Sequence, residues 1–130
     1  MTHARRFLIK FDPGYAPLST GLLLFPSASY VEIAGNEISV RMGWAFRATF
    51  DRSCIAAASA LDKRVGLTRG VHGWAGRWLV NGAGDGLVEI DLEPRQRAYV
   101  LGIPVSLRKL QVTVDEPAAL ATALAAAPTR

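Results

Sequence analysis

From Val31 to Asp51 the chain alternates apolar and polar residues almost without interruption. Val31 and Ile33 flank Glu32; Ile38, Val40 and Met42 alternate with Ser39 and Arg41; Phe46, Ala48 and Phe50 alternate with Arg47, Thr49 and Asp51. A period of two puts successive side chains on opposite faces of a strand, so one set faces a core and the other faces out. No helix can sort these residues that way. Gly35-Asn36 supplies a permissive turn inside the run, with its turn type left open by the Gly-Asn order. Gly43 and Trp44 mark the next corner, and Arg41 and Arg47 fall on polar faces. The same alternation returns in Leu87–Glu93, where Val88, Ile90 and Leu92 oppose Glu89, Asp91 and Glu93. Pro94 is expected to end that strand, since proline donates no ladder hydrogen bond. Further strands are expected at Phe7–Phe11, Arg77–Asn81, Gln96–Leu101 and Leu107–Val114. Ser53–Leu61 reads either as a helix, being rich in alanine, or as an extended edge with Ile55 anchored inward.

The period changes only once. In DEPAALATALAAA, residues 115–127, Leu120, Ala123, Leu124 and Ala127 fall on one helical stripe. Asp115 or Glu116 suits the positive helix end, and Pro117 stands where a missing donor costs little. The expected fold is mainly β, a bent antiparallel barrel or sandwich capped by this C-terminal α-helix, in a single domain spanning residues 1–130. Half of the 130 residues are hydrophobic, enough for a core without covalent staples. The lone Cys54 closes no internal disulfide, which argues against a disulfide-built secreted scaffold. The opening MTHARRFLIKFDPG lacks the long apolar run of a signal peptide, so a cytoplasmic location is expected.

The net charge is +4 and it is unevenly distributed. Arg41, Arg47, Arg52, Lys63, Arg64, Arg69 and Arg77 occupy one central span, opposed there by Asp51 and Asp62 alone. Such asymmetry favours an anionic ligand or membrane surface on one face, or else two complementary faces meeting within the fold or a dimer. A nucleic-acid role is disfavoured, because Phe46 and Phe50 fall on the face opposite Arg47 and leave the basic residues without interleaved aromatics. An exposed sheet edge points instead to a protein partner or to self-association.

Seven of the twelve glycines lie between Gly66 and Gly86. Their spacing matches neither a dinucleotide fingerprint nor a phosphate loop, since Leu87–Leu92 after them is a strand. Turning the chain explains Asn81-Gly82, Gly84 and Gly86, while Trp78 packs before the turn and Trp74 either caps the core edge or stands out as an anchor. The candidate binding residues in this stretch are Arg69, His72, Trp74 and Arg77, where backbone donors and arginines can hold an anion. No cofactor and no metal are expected: His3, His72 and Cys54 do not form a ligand cluster. Cys54 reads as a buried inert thiol, and Glu89, Asp91 and Glu93 as a solvated face. The expected function is a non-enzymatic binding or interaction module. The alternative is a small enzyme, or small-molecule-binding protein, with a pocket near Arg69, His72 and Arg77.

The phrases VEIAGNEISVRMGWAFRATF, GLVEIDLE and LRKLQVTVDEPAALATAL, read together across residues 28–125, resemble the bacterial PH-like domains. The resemblance implies a bent, nearly closed barrel with the Pro117–Ala127 helix over one end, serving as an adaptor for lipids, peptides or proteins. Phosphoinositide-binding members carry basic residues in the first hairpin loop. Here that loop is Ala34-Gly35-Asn36-Glu37, with no basic residue, so no lipid ligand is carried over.

Overall fold

The computed structural model describes residues 5–10, 29–62, 70–81, 83 and 85–125, with the backbone alone at 70–72, 74 and 81. Strands run in the order β1 (Arg5–Leu8), β2 (Ser29–Ala34), β3 (Glu37–Met42), β4 (Phe46–Asp51), β5 (Ile55–Leu61), β6 (Gly70–Trp74), β7 (Arg77–Asn81), β8 (Leu87–Val100) and β9 (Ile103–Thr113), and helix α1 (Pro117–Ala125) follows them. A single 3₁₀ turn, Arg52–Cys54, joins β4 to β5. The nine strands among the described residues belong to one sheet, ordered β1-β2-β3-β4-β8-β9-β7-β6, with β5 also paired to β8.

The alternation in the sequence becomes two kinds of row across the sheet. Phe7, Val31, Val40, Ala48 and Ala98 lie in register across β1, β2, β3, β4 and β8, and every one of them is buried. Ile33, Ile38 and Phe50 continue the same inner face. The two-residue turn between β2 and β3 has Gly35 in the left-handed region (φ 64), as a type II′ turn requires at its first position. The sheet curls until β1 meets the far end of β9. There Ile9 bridges Val114, the Lys10 N–H donates to the Thr113 carbonyl at 2.9 Å, and the Asp115 N–H donates to the Leu8 carbonyl at 3.2 Å.

Strand β8 organises the barrel. Its first half pairs with β5 through Leu87–Leu92, and its second half pairs with β4 through Ala98–Val100. On its other edge it pairs with β9 over Leu87–Asp91 and Gln96–Val100, with a register shift between Asp91 and Gln96. The expected stop at Pro94 is therefore a correction. The strand runs on through the proline, and the interrupted ladder marks an irregularity where the strand exchanges β5 for β4. The alanine-rich segment after Cys54 is extended, because pairing with β8 outweighs its helix propensity. One pair departs from the antiparallel pattern: β7 lies parallel to β9, Arg77 opposite Lys109 and Val80 opposite Val112.

Helix α1 packs on β5 and β8 and buries Leu120 and Leu124 completely or nearly so. The Leu120 N–H donates to the Glu116 carbonyl, which makes Glu116 the residue that opens the helix. Arg52 closes the other end. Its Nη1 donates to the carbonyls of Ala123 (2.6 Å) and Leu124 (3.3 Å), and its Nη2 to Gly35 in the β2–β3 turn (3.3 Å). A cation at a helix C-terminus is favoured by the exposed carbonyl dipoles. Arg52 is buried, so this member of the central basic span belongs to the fold and leaves the surface charge. Cys54 is only partly buried, packed against the core at the end of the 3₁₀ turn, which corrects the buried thiol read from the sequence. No helix among the described residues is long and apolar enough to cross a membrane.

Candidate functional site

The glycine-rich segment is a hairpin. Strands β6 and β7 pair from Gly70 opposite Asn81 to Trp74 opposite Arg77, around a tight turn at Ala75 (φ 54) and Gly76 (φ 84). Gly73 stands opposite Trp78. A Cβ at Gly73 would collide with the Arg77 carbonyl oxygen and lie 2.9 Å from the Trp78 ring. The glycine is thus explained by close packing, with Trp78 resting against the core as the sequence suggests.

Of the four candidate residues, Arg69 lies outside the described residues. Trp74 and Arg77 are opposite one another, and His72 stands opposite Leu79. The side chains of His72 and Trp74 are outside the described set. Arg77 is exposed beside a depression of about 470 Å³ that also involves Glu89, Lys109 and Gln111. Glu89, Lys109 and Gln111 pair with one another there, whereas Arg77 has no carboxylate partner among the described residues and the buried Trp78 Nε1 donates to none of them. Gln111 Nε2 donates to Glu89 Oε1 at 2.9 Å, and the Lys109 ammonium sits 3.6 Å from Glu89 and 3.5 Å from Asp91. Glu89 and Asp91 of β8 are therefore partnered by Gln111 and Lys109 of β9, an arrangement visible only in the strand register.

A different face carries cations without such partners. Leu8, Tyr30, Arg41, Arg47, Tyr99 and Pro104 form one outward row across β1, β2, β3, β4, β8 and β9. Arg41 stands directly opposite Arg47, and both are exposed. The Arg47 guanidinium stacks 4.5 Å from the centre of the Tyr99 ring, and that of Arg6 lies 4.0 Å from the Tyr30 ring. Arg6 also pairs with Glu32 at 2.9 Å. Among the described residues no carboxylate pairs with Arg41, Arg47, Arg95 or Arg97. Shallow depressions run along this face. One of about 250 Å³ is bordered by Arg41, Trp44, Arg47 and Tyr99; another of about 470 Å³ is bordered by Arg95, Gln96 and Arg97.

Like charges directly opposite on neighbouring strands are destabilising. The Arg41–Arg47 pair is therefore an electrostatic cost to the folded sheet, relieved when an anion sits between the two guanidinium groups. Sequence reasoning places both arginines on polar faces but misses the tyrosines beside them. Tyr30 joins the row through the register of the β2–β3 hairpin, whereas Tyr99 comes from a strand distant in the chain and only the pairing of β4 with β8 brings it there.

Asp51 has its acidity clearly displaced. Hydrogen bonds from Ser53, side chain first and backbone N–H second, hold its carboxyl below the usual range, with a smaller effect of Arg52. It caps the 3₁₀ turn and plays no part in the basic face.

Compared with known protein families, with curated proteins and with solved structures, the chain matches none.

Proposed function

We propose that the protein is a non-enzymatic binding module of PH-like build whose basic outer face holds an anionic partner. The observation that carries this reading is the in-register Arg41–Arg47 pair, exposed and without a carboxylate counterpart among the described residues. Guanidinium groups bind phosphate and carboxylate oxygens through paired donors, and stacking on Tyr99 orients one of them in advance. The shallow relief of the face suits a surface contact better than an enclosed reaction. The curled sheet and its C-terminal helix support the PH-like reading.

Binding of inorganic polyphosphate, measured by calorimetry for the wild type and Arg41→Glu, tests the proposal. The substitution places a carboxylate opposite Arg47 and removes the repulsion. Affinity should fall by about ten-fold or more while the fold is retained. Undiminished binding by Arg41→Glu, or none by the wild type, would overturn the reading.

A further inference from the structure

Next to the arginine row the barrel ends in an apolar tip. Two turns meet there: Gly43–Ala45 between β3 and β4, and Leu101–Gly102 between β8 and β9. The Leu101 N–H donates to the Ala45 carbonyl at 2.9 Å and ties them together. Three large apolar side chains face solvent at this end: Trp44 is 57% exposed, Leu101 56% and Ile103 64%. Ile103 closes a row that begins with buried Ser29, Met42 and Phe46 and emerges at the mouth of the barrel.

Leu101 is the most informative of the three. It has φ 53, in the left-handed region that glycine and asparagine occupy most readily. A bulky leucine there carries backbone strain and exposes its side chain to water, so neither folding nor solubility accounts for it. Gly102 beside it has no atom within 4 Å of where a Cβ would stand, so the turn projects freely.

We infer that the protein docks tip first on an anionic lipid bilayer. Trp44, Leu101 and Ile103 enter the interfacial layer, while Arg41 and Arg47, one row behind, meet the headgroups. The inference rests on the anion-binding reading of that row and assigns its partner. A projecting apolar point backed by cations matches the layering of a membrane surface, where apolar chains lie beneath a sheet of negative charge. Tryptophan is itself suited to that boundary. With few inserted side chains, the attachment is reversible.

Flotation with vesicles of phosphatidylcholine alone, and of phosphatidylcholine mixed with phosphatidylserine, tests the inference alongside polyphosphate binding. The variant Leu101→Asn/Ile103→Thr keeps residues suited to the turn and the strand. The wild type should float with the mixed vesicles and far less with the neutral ones. The tip variant should lose about ten-fold in vesicle partition and keep its polyphosphate affinity. Arg41→Glu should lose both, the vesicle partition by about five-fold or more. Equal flotation of wild type and tip variant would overturn the inference, as would equal binding to the two vesicle types. A wild type that binds polyphosphate but floats with neither would leave the anion site standing and remove the membrane. Failure to bind polyphosphate would remove the underlying reading itself.

Discussion

The two tight turns at Ala75-Gly76 and Leu101-Gly102 have nearly the same backbone, with φ of 54 and 84 in the first and 53 and 80 in the second. Both are tied to a neighbour by backbone hydrogen bonds, the second through the Leu101 N–H to Ala45, but their glycines and side chains meet different surroundings. The carbonyl of Gly76 accepts from the N–H groups of Arg108 (2.7 Å) and Lys109 (3.0 Å), so the β6–β7 hairpin is docked against β9. At Gly102 a Cβ would find no atom within 4 Å, and the Leu101 side chain is largely exposed to solvent. Turn chemistry thus fixes a chain reversal but says little about its use. The hairpin that attracts attention in the sequence spends Gly73 and Trp78 on packing. The plainer turn carries the exposed leucine.

The largest effect is expected at Gly73. Placing alanine there forces the β6–β7 backbones apart, and urea denaturation should show a loss of about 3 kcal/mol. An unchanged midpoint would mean that Trp78 does not rest on that glycine. Next come Gly76→Ala and Gly102→Ala. Both incur the left-handed penalty of about 1 kcal/mol, but only the first also meets Arg108, whose Cβ lies 3.4 Å from the added carbon. Gly76→Ala should therefore cost about 2 kcal/mol, and equal losses would show that the two turns are packed alike. Smaller still, Ala75→Asn and Leu101→Asn should each stabilise the protein by about 0.5 kcal/mol in the same assay. Only Leu101→Asn should weaken vesicle binding, which separates the projecting turn from the docked one.

The smallest effect concerns Asp51. Its carboxyl is more acidic in the folded chain, so its contribution is present above the ordinary carboxylate range and is lost as pH falls through the lowered value. An acid titration of stability should therefore be slightly shallower for Asp51→Asn than for the wild type.

Much of the fold is legible in the sequence because burial on one face imposes alternation. The β2–β3–β4 meander, the first half of β8 and helix α1 all follow from it, and the single change of period places the helix last. What is not legible depends on partners remote in the chain. Nothing local in Arg77–Asn81 states that it lies parallel to β9, and nothing in Ile55–Leu61 states that β8 will draw an alanine-rich run into a strand. The same reason hides the candidate site. Arg41 and Arg47 are visible as polar-face residues, yet Tyr99 joins them only through the pairing of β4 with the second half of β8. Arg52 is misread as surface charge because its acceptors, at the end of α1, come from the other end of the sequence.

The bridge between Ile9 and Val114 joins the earliest strand to the residue just past the latest one. Few hydrogen bonds hold that seam, and the loop it closes is almost the whole chain, so its ordering entropy falls due only when the rest is in place. Assembly should thus finish there, after synthesis has delivered β9. In native-state hydrogen exchange the Lys10 amide should open ahead of those in the β2–β3–β4 meander.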